Sequence, residues 1–460
     1  MHPLDTYFRD TVADLSASQL AIADRDADKS ALWWALFSAQ ATSRHLDFVA
    51  RELQQQRRGF YTIGSAGHES NAMVAMALRP TDPALLHYRS GGFYVARAGQ
   101  VPGSTPIRDV LQGLMGLADE PIAGGRHKVF GHPDLAVIPQ TSTIASHLPR
   151  AVGLAIMLHR AHRLGVDGEW PEDAVVVCSF GDASANHSTA VGAINTALAT
   201  AFRGLPVPIL FVCEDNGFGI SVPTPTGWIE AAYGSRPGLT YVSVDGSDPA
   251  ASWPEIVQAT NTVREHRQPV FLHLRTVRFG GHAGSDAEIS YRKPREIEAD
   301  YARDPLLATA SRLRATGASA AEILECYDAI RHEIDDEAER LGNDQRLSSA
   351  AEVMAPIAPR HPTGVAETVG VLTSGVERTS SPEASARPRT LAESINATLD
   401  ELLSADRRVI VFGEDVGVKG GVYGVTARLA RKHGAARVFD TLLDEQAILG
   451  LGLGAGLAGL

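Results

Sequence analysis

Two apolar runs dominate the hydrophobic pattern of this chain. Val175-Val176-Val177-Cys178-Ser179-Phe180 closes on Gly181-Asp182-Ala183-Ser184, and Ile209-Leu210-Phe211-Val212-Cys213 closes on Glu214-Asp215-Asn216-Gly217-Phe218-Gly219-Ile220-Ser221. Short apolar runs bounded by turn residues predict buried strands. The stretch from about Asn186 to Phe202 reads as a helix between them. A strand-helix-strand unit brings both strand ends to one edge of a parallel sheet, the edge where open α/β folds bind ligands. Strands are predicted over 173–180, 208–213, 241–245 and 269–276, within α/β punctuation that runs from about 60 to 285. Charged helical stretches flank it at about 10–55 and 304–342; in the second, Ile323, Leu324, Tyr327 and Ile330 recur at helical spacing. The predicted class is α/β, a parallel sheet flanked by helices.

The pattern changes after residue 355. Residues 356–388 carry Pro356, Pro359, Pro362, Pro382 and Pro388 among Thr, Ser and Gly, and read as a linker. A second α/β domain then begins, with a helix over 391–404, a strand from Val409 to Phe412, the turn Gly413-Glu414-Asp415 and a Gly-rich stretch. The last residues have the pattern of mid-helix, so 389–460 reads as the start of a domain. The expected organisation is 1–355, linker 356–388 and 389–460. Gly454-Ala455-Gly456-Leu457-Ala458-Gly459 matches the dinucleotide-binding pattern, but that motif should follow a strand and precede an acidic residue. Here it follows a helical pattern and reads as close helix packing.

Composition narrows the class. A chain of 460 residues with 44% apolar and 21% charged residues is ordinary for a globular protein of two or more domains. A formal charge of −12 argues against a nucleic-acid partner. No apolar run reaches the length of a membrane span, and the N-terminus lacks the regions of a secretory signal. Cys178, Cys213 and Cys326 are too few and too far apart for a disulfide framework or a zinc site, and read as core residues of a cytoplasmic protein.

The candidate chemistry lies at the strand ends. Asp182 and Asn216 offer a carboxylate and an amide oxygen, hard ligands that suit a magnesium ion bridged to phosphates. Turn residues at strand ends are the plain alternative. Thr276 to Asp286 follows an apolar strand and places His282 among Gly280, Gly281 and Gly284, where backbone can approach a ligand closely and an imidazole can donate a proton. Tyr88 and Arg89 can both bond a phosphate, although Arg89 can equally pair with a carboxylate. Glu445, in Asp444-Glu445-Gln446-Ala447-Ile448, lies in an apolar setting at a predicted helix start, where a capping role is the default.

Together these segments resemble the decarboxylating component of the 2-oxo acid dehydrogenase complexes, which depends on thiamine diphosphate, and the branched-chain type most closely. Residues from about 20 to 345 resemble its α subunit. Residues 389–460 resemble the opening of its β subunit through Val411 to Gly417, Gly420-Gly421-Val422-Tyr423 and Arg437 to Thr441, so the two look fused. The resemblance implies the thiamine diphosphate-binding fold, with 389–460 as the start of a pyrimidine-binding domain. It assigns Asp182, Asn216 and the Phe218 carbonyl to magnesium. Gly181, Ala183, Ser184, Tyr88 and Arg89 go to the diphosphate, and Ser142 and Ile144 to packing on the cofactor. His282 becomes the histidine beside the reacting centre, and Glu445 the glutamate that bonds the aminopyrimidine and promotes ylide formation. Thr141, Ser146 and His147 fall where some members hold potassium.

The implied activity is oxidative decarboxylation of a 2-oxo acid, a branched-chain one favoured, with acyl transfer to the lipoyl group of an acyltransferase partner in a multienzyme complex. A cofactor shared between α-type and β-type domains implies at least a homodimer. An acetoin or pyruvate dehydrogenase-type enzyme of the same fold, or a paralogue that has lost catalysis, are the alternatives. Several positions depart from the pattern. Glu214 stands where members often carry arginine, and a carboxylate there repels a diphosphate unless it points away or pairs with a cation. His147 replaces a common glutamine, and Ala283 replaces a serine phosphorylated in mitochondrial members. His127 and His132 both align with another active-site histidine.

Overall fold

The structure is a computed structural model, and it describes residues 2–15, 29–60, 63–122, 124, 130–355, 363, 364, 366 and 388–460. The helices in chain order are α1 (Pro3–Asp14), α2 (Ser30–Gln55), α3 (Asn71–Ala77), α4 (Gly91–Ala98), α5 (Pro106–Met115), α6 (Leu148–Arg163), α7 (Ser188–Phe202), α8 (Trp228–Tyr233), α9 (Pro249–His266), α10 (Pro294–Tyr301), α11 (Pro305–Ala315), α12 (Ala320–Arg340), α13 (Ala350–Met354), α14 (Leu391–Ala405), α15 (Leu429–His433) and α16 (Glu445–Leu457). The strands are β1 (Ala84–Leu85), β2 (Val176–Gly181), β3 (Ile209–Asp215), β4 (Phe218–Gly219), β5 (Val222–Pro223), β6 (Thr240–Asp245), β7 (Val270–Arg275), β8 (Val411–Gly413) and β9 (Val438–Asp440). Two compact units result: residues 1–147, 173–191 and 208–348, and residues 148–172, 192–207 and 349–460. Most of the segment read as a linker, 356–388, lies outside the described residues, as does His127.

The first unit is built on a parallel sheet of order β1-β2-β3-β7-β6. Strand β2 is buried along its whole length, as is β3 up to Glu214, which is why both read as unbroken apolar runs. Register sets Gly181 beside Glu214 and Asp215 beside Arg275, so the carboxyl ends of β2, β3 and β7 reach one edge together. Strand β3 runs two residues past its predicted end at Cys213. That extension decides the direction of Glu214, because side chains alternate along a strand. Cys178 and Cys213 are buried free thiols of the sheet, and Cys326 is a half-buried free thiol on α12. None of the helices is long and apolar enough to cross a membrane among the described residues.

Helix α2 carries two buried polar groups of consequence. Arg44 is fully buried; its Nε donates to Glu69 at 2.5 Å, and its two terminal nitrogens donate to Asp304 at 3.1 and 2.8 Å. His45 Nε2 donates to the Tyr327 carbonyl at 3.0 Å. Burial, then the charge of Arg331, pushes the His45 pKa down to about 3. The unfolded chain binds this proton below about pH 6.5 and the folded chain does not until about pH 3. The contribution to stability is therefore full above pH 6.5 and is lost as pH falls. Between pH 7 and pH 5 wild type should lose about 2 kcal/mol more than the His45→Gln variant, whose amide keeps a donor for Tyr327. Urea unfolding at the two pH values measures this, and equal losses would refute it.

In the second unit, α6 packs against α16 through glycine. A Cβ at Gly454 would overlap the backbone of Gly153 and Leu154, and one at Gly450 would overlap Pro149. Within the Gly454–Gly459 segment, Gly454 is thus a close helix contact, whereas Gly456 faces open space. Strands β8 and β9 pair in parallel over a small cluster of Leu403, Leu429 and Val438. Asp444 caps α16, accepting from the Gln446 and Ala447 amides at 3.1 and 3.2 Å. Glu445 follows at the first helical position, exposed to solvent and not in the apolar setting its neighbours predict. Helical rotation explains this: at about 100° per residue, Ala447 points roughly opposite to Glu445 and takes the buried direction.

Candidate active site

The sheet edge of the first unit opens on a cavity of about 190 Å³ lined by His87, Tyr88, Arg89, Ile144, Gly181 to Ser184, Asn216, Phe218 to Ile220, Arg278 and His282. Nearly every cofactor-site residue predicted in this unit meets here. Ser142 is the exception; it lies on the same loop as Ile144, half-buried, outside the lining. Glu445 belongs to the second unit.

Asp182 follows β2 directly and is 1% exposed. Its carboxylate accepts a short bond from the Thr224 hydroxyl. Burial, then the neighbouring Asp215 carboxylate, raises its pKa to about 6. Asp215 is tied elsewhere: Oδ1 accepts from the Gly217 amide at 2.9 Å, and Oδ2 lies 2.8 Å from His273 Nε2, whose other nitrogen meets the Tyr241 hydroxyl at 2.7 Å. Burial pushes the Asp215 carboxyl up, but His273 and the Gly217 amide outweigh it and hold it below the usual range. Asn216 Oδ1 accepts from the Phe218 amide at 3.1 Å, closing a turn that puts the Phe218 carbonyl on the short hairpin β4–β5. Gly219 matters here for space: a Cβ on it would stand 2.8 Å from that of Ala183.

Arg89 and the histidine loop form the opposite wall. Arg89 donates to the Gly64 carbonyl at 2.6 Å and to the His282 carbonyl at 2.7 Å, with His282 Nδ1 at 3.2 Å. The His282 amide donates to Asp286 at 2.5 Å; Asp286 also accepts from Tyr291 at 2.7 Å, and Tyr291 from Arg278 at 2.8 Å. Arg278 reaches back to the Ile220 carbonyl at 2.7 Å. Burial, then Arg89 and Arg278, lowers the His282 pKa to about 4, so its imidazole is neutral near pH 7. The Tyr88 ring packs edge-on to His282 at 6.2 Å.

Glu214 does not face the cavity. It is fully buried and accepts from Ser90 Oγ at 3.0 Å, Asn71 Nδ2 at 3.1 Å and His68 at 2.7 Å. Of the two outcomes open to that carboxylate, it points away from the cavity. At the expected potassium position, His147 Nε2 meets the Ser179 carbonyl at 2.8 Å, Ser146 donates to the Thr143 carbonyl at 3.0 Å and Thr141 accepts from the Thr143 amide at 3.2 Å. These side chains are turned to protein partners, and we assign no potassium ion to them. His132 accepts from the Asp134 amide at 3.2 Å and caps a short turn. His68, Thr224 and Arg278 are the residues that motif spacing did not single out. His68 and Arg278 lie far from Asp182 and Asn216 in sequence, and Thr224, eight residues past Asn216, belongs to no motif; a glycine at positive φ before His68, Gly67 at 95°, marks a constrained backbone there.

An oxygen-lined carboxylate edge facing two guanidinium groups is the arrangement of an anion bound through a hard cation. The chain belongs to the dehydrogenase E1 component family, which residues 38–348 match. Residues 387–460 match the pyrimidine-binding domain of transketolase. Among curated relatives, it is 28% identical over 277 residues to 2-oxoisovalerate dehydrogenase subunit alpha 2 of Arabidopsis thaliana, covering 59% of this chain and 54% of that protein. It is 27% identical over 267 residues to the human mitochondrial alpha subunit, covering 57% and 56%. With the alpha subunit of Bacillus subtilis it shares 28% over 290 residues, covering 61% and 82%. The chain thus spans about half the length of the mitochondrial relatives it matches. The solved structure of transketolase from Campylobacter jejuni superposes with a TM-score of 0.52 and 15% identity, covering 92% of this chain and 63% of that one. That likeness is one of fold, and the fold is the expected thiamine diphosphate-binding one.

Proposed function

We propose that this chain is a thiamine diphosphate-dependent 2-oxo acid dehydrogenase component, with an α-type domain over 1–355 joined by a linker to a β-type segment over 389–460. The observation that carries this reading is the convergence of Asp182, Asn216, Arg89 and His282 on one cavity at the sheet edge, in a chain of the E1 family. The cavity suits the diphosphate end of the cofactor. Asp182, the Asn216 amide and the Phe218 carbonyl are an all-oxygen set fit for magnesium. A carboxylate buried beside a second carboxylate calls for a cation, and Arg89 and Arg278 line the same space for phosphate oxygens.

Bound thiamine diphosphate supplies the electron sink for decarboxylation. The chain's own residues do the rest. Asp182, Asn216 and Phe218 hold the metal, while Tyr88, Arg89, Gly181, Ala183 and Ser184 orient the diphosphate. His282, neutral and steadied by Arg89 and Asp286, donates a hydrogen bond to the substrate oxygen and then assists acyl transfer to the lipoyl group of an acyltransferase partner. Glu445 would bond the aminopyrimidine ring. A cofactor shared by α-type and β-type domains makes the active form at least a homodimer. A branched-chain 2-oxo acid is the favoured substrate, in line with the relatives' names.

Calorimetric titration of the 460-residue chain with thiamine diphosphate and magnesium tests the cofactor reading, and no binding would sink it. Turnover of a panel of 2-oxo acids and acetoin with an artificial electron acceptor ranks the substrates. The His282→Ala variant should lose about 10²–10⁴-fold in turnover, the range for a positioned general acid or base. Full activity of that variant would remove His282 from the mechanism.

A further inference from the structure

The Asn216 amide is held from behind. Its Nδ2 donates to His68 Nε2 at 2.9 Å, and His68 Nδ1 donates to Glu214 at 2.7 Å. The His68 and Glu214 side chains are both 0% exposed. Asn71 and Ser90 donate to the same carboxylate, so its position is set on three sides. An asparagine amide has two orientations, with oxygen and NH₂ exchanged. In the reversed one, NH₂ would oppose the Phe218 N–H, and the oxygen would oppose the His68 lone pair. His68 presents that lone pair only while its proton sits on Nδ1, and the carboxylate opposite Nδ1 keeps it there.

Ligand atoms of His68, His87 and Glu214 also lie within 4.8 Å of one another, a spacing that a metal ion would accept. A metal there would require His68 to surrender one of its two hydrogen bonds, so the amide-orienting reading uses the cluster better.

We propose that Glu214 and His68 are positioning residues that lock the Asn216 amide with its oxygen available to the cavity, and thereby set the divalent-cation affinity of the site. The inference rests on the proposed role of Asn216 as a magnesium ligand. It also gives the carboxylate at 214 a purpose in place of the arginine expected there.

Manganese binding to the full chain with thiamine diphosphate, read from the free-ion electron paramagnetic resonance signal, provides the test. His68→Ala should weaken manganese binding about 10–100-fold, as loss of an outer-shell partner does. His68→Gln, whose amide oxygen can accept from Asn216, should restore most of it. In an Asn216→Asp background, where both oxygens serve without orientation, His68→Ala should change affinity less than about threefold. Equal losses in the two backgrounds would make His68 merely structural and overturn the proposal. Glu214→Gln carries the same cycle if His68→Ala does not fold. A tightly held transition metal lost from His68→Ala with manganese affinity unchanged would also overturn it. Absence of manganese binding by the wild type overturns the cofactor reading and this inference with it. Wild-type binding that His68→Ala leaves intact overturns this inference alone.

Discussion

Replacing Asp182 by alanine is expected to abolish magnesium-dependent binding of thiamine diphosphate while leaving the unliganded chain at least as stable as the wild type. Outer-shell partners of a metal typically contribute ten- to hundredfold in affinity, so removal of a direct ligand should lower it by at least about a hundredfold. Stability should move the other way. The wild-type carboxylate is almost fully buried next to Asp215, and both facts raise its pKa to about 6. Near pH 7 the folded chain therefore holds a charge at a cost, which is relieved as pH falls below that value. Alanine removes the cost, and with it the Thr224 hydrogen bond and the backbone hydrogen bonds from Asp182 and Asn216, which offset only part of the cost since the pKa remains raised. Titration calorimetry and thermal melting of the same two samples check both halves. Affinity within tenfold of wild type would show that Asp182 is no ligand, and a large fall in melting temperature would show that its charge is compensated in some other way.

Replacing Arg44 by methionine should destabilise the first unit by roughly 3–5 kcal/mol, the cost of breaking a buried ion pair by removing one partner. Arg44 is the cation between two fully buried carboxylates, Glu69 and Asp304. Burial already pushes the Glu69 carboxyl above its usual range. Without Arg44 these carboxyls would have to take up protons, so the deficit should shrink as pH is lowered from 8 to 6. The damage should reach the site, because Glu69 also accepts from the Gly67 amide at 2.7 Å, and the Gly67 carbonyl accepts from Thr276 at 2.5 Å at the root of the His282 loop. Urea unfolding at the two pH values measures the effect. A loss below about 1 kcal/mol, as for an exposed pair, would show that the carboxylates find water once the arginine is gone.

Parts of this were legible in the sequence and parts were not. The runs at 175–180 and 209–213 announce buried parallel strands because both faces are covered and no polar residue interrupts them. The Gly-rich loop after β7 announces His282 at the same edge because parallel strands all end on one side. Helices α3 to α6 were harder to foresee. Of these, α3 and α4 are only seven and eight residues long and buried over most of their surface, so no apolar stripe marks them. Glu214 and Asp215 are neighbours in sequence, yet one is sealed in a hydrogen-bonded pocket and the other lies beside the cavity wall. The alternation of strand faces decides that, and it applies only because β3 continues to Asp215.

The sequence by itself determined the α/β class, the edge that carries the chemistry, the residue types offered to a cation and a diphosphate, and the family. These follow from local pattern: strand parity, turn residues and ordered motifs are properties of contiguous stretches. Only the tertiary structure decided how each group is set. It turned Glu214 inward, placed His68 behind Asn216, wrapped Arg89 around the His282 loop and buried Arg44 between two carboxylates. Those relations join residues 25 to 260 positions apart. Hydrogen bonds and charge pairs act over a few ångströms in space, and no spacing along the chain encodes which distant partners folding will bring within that reach.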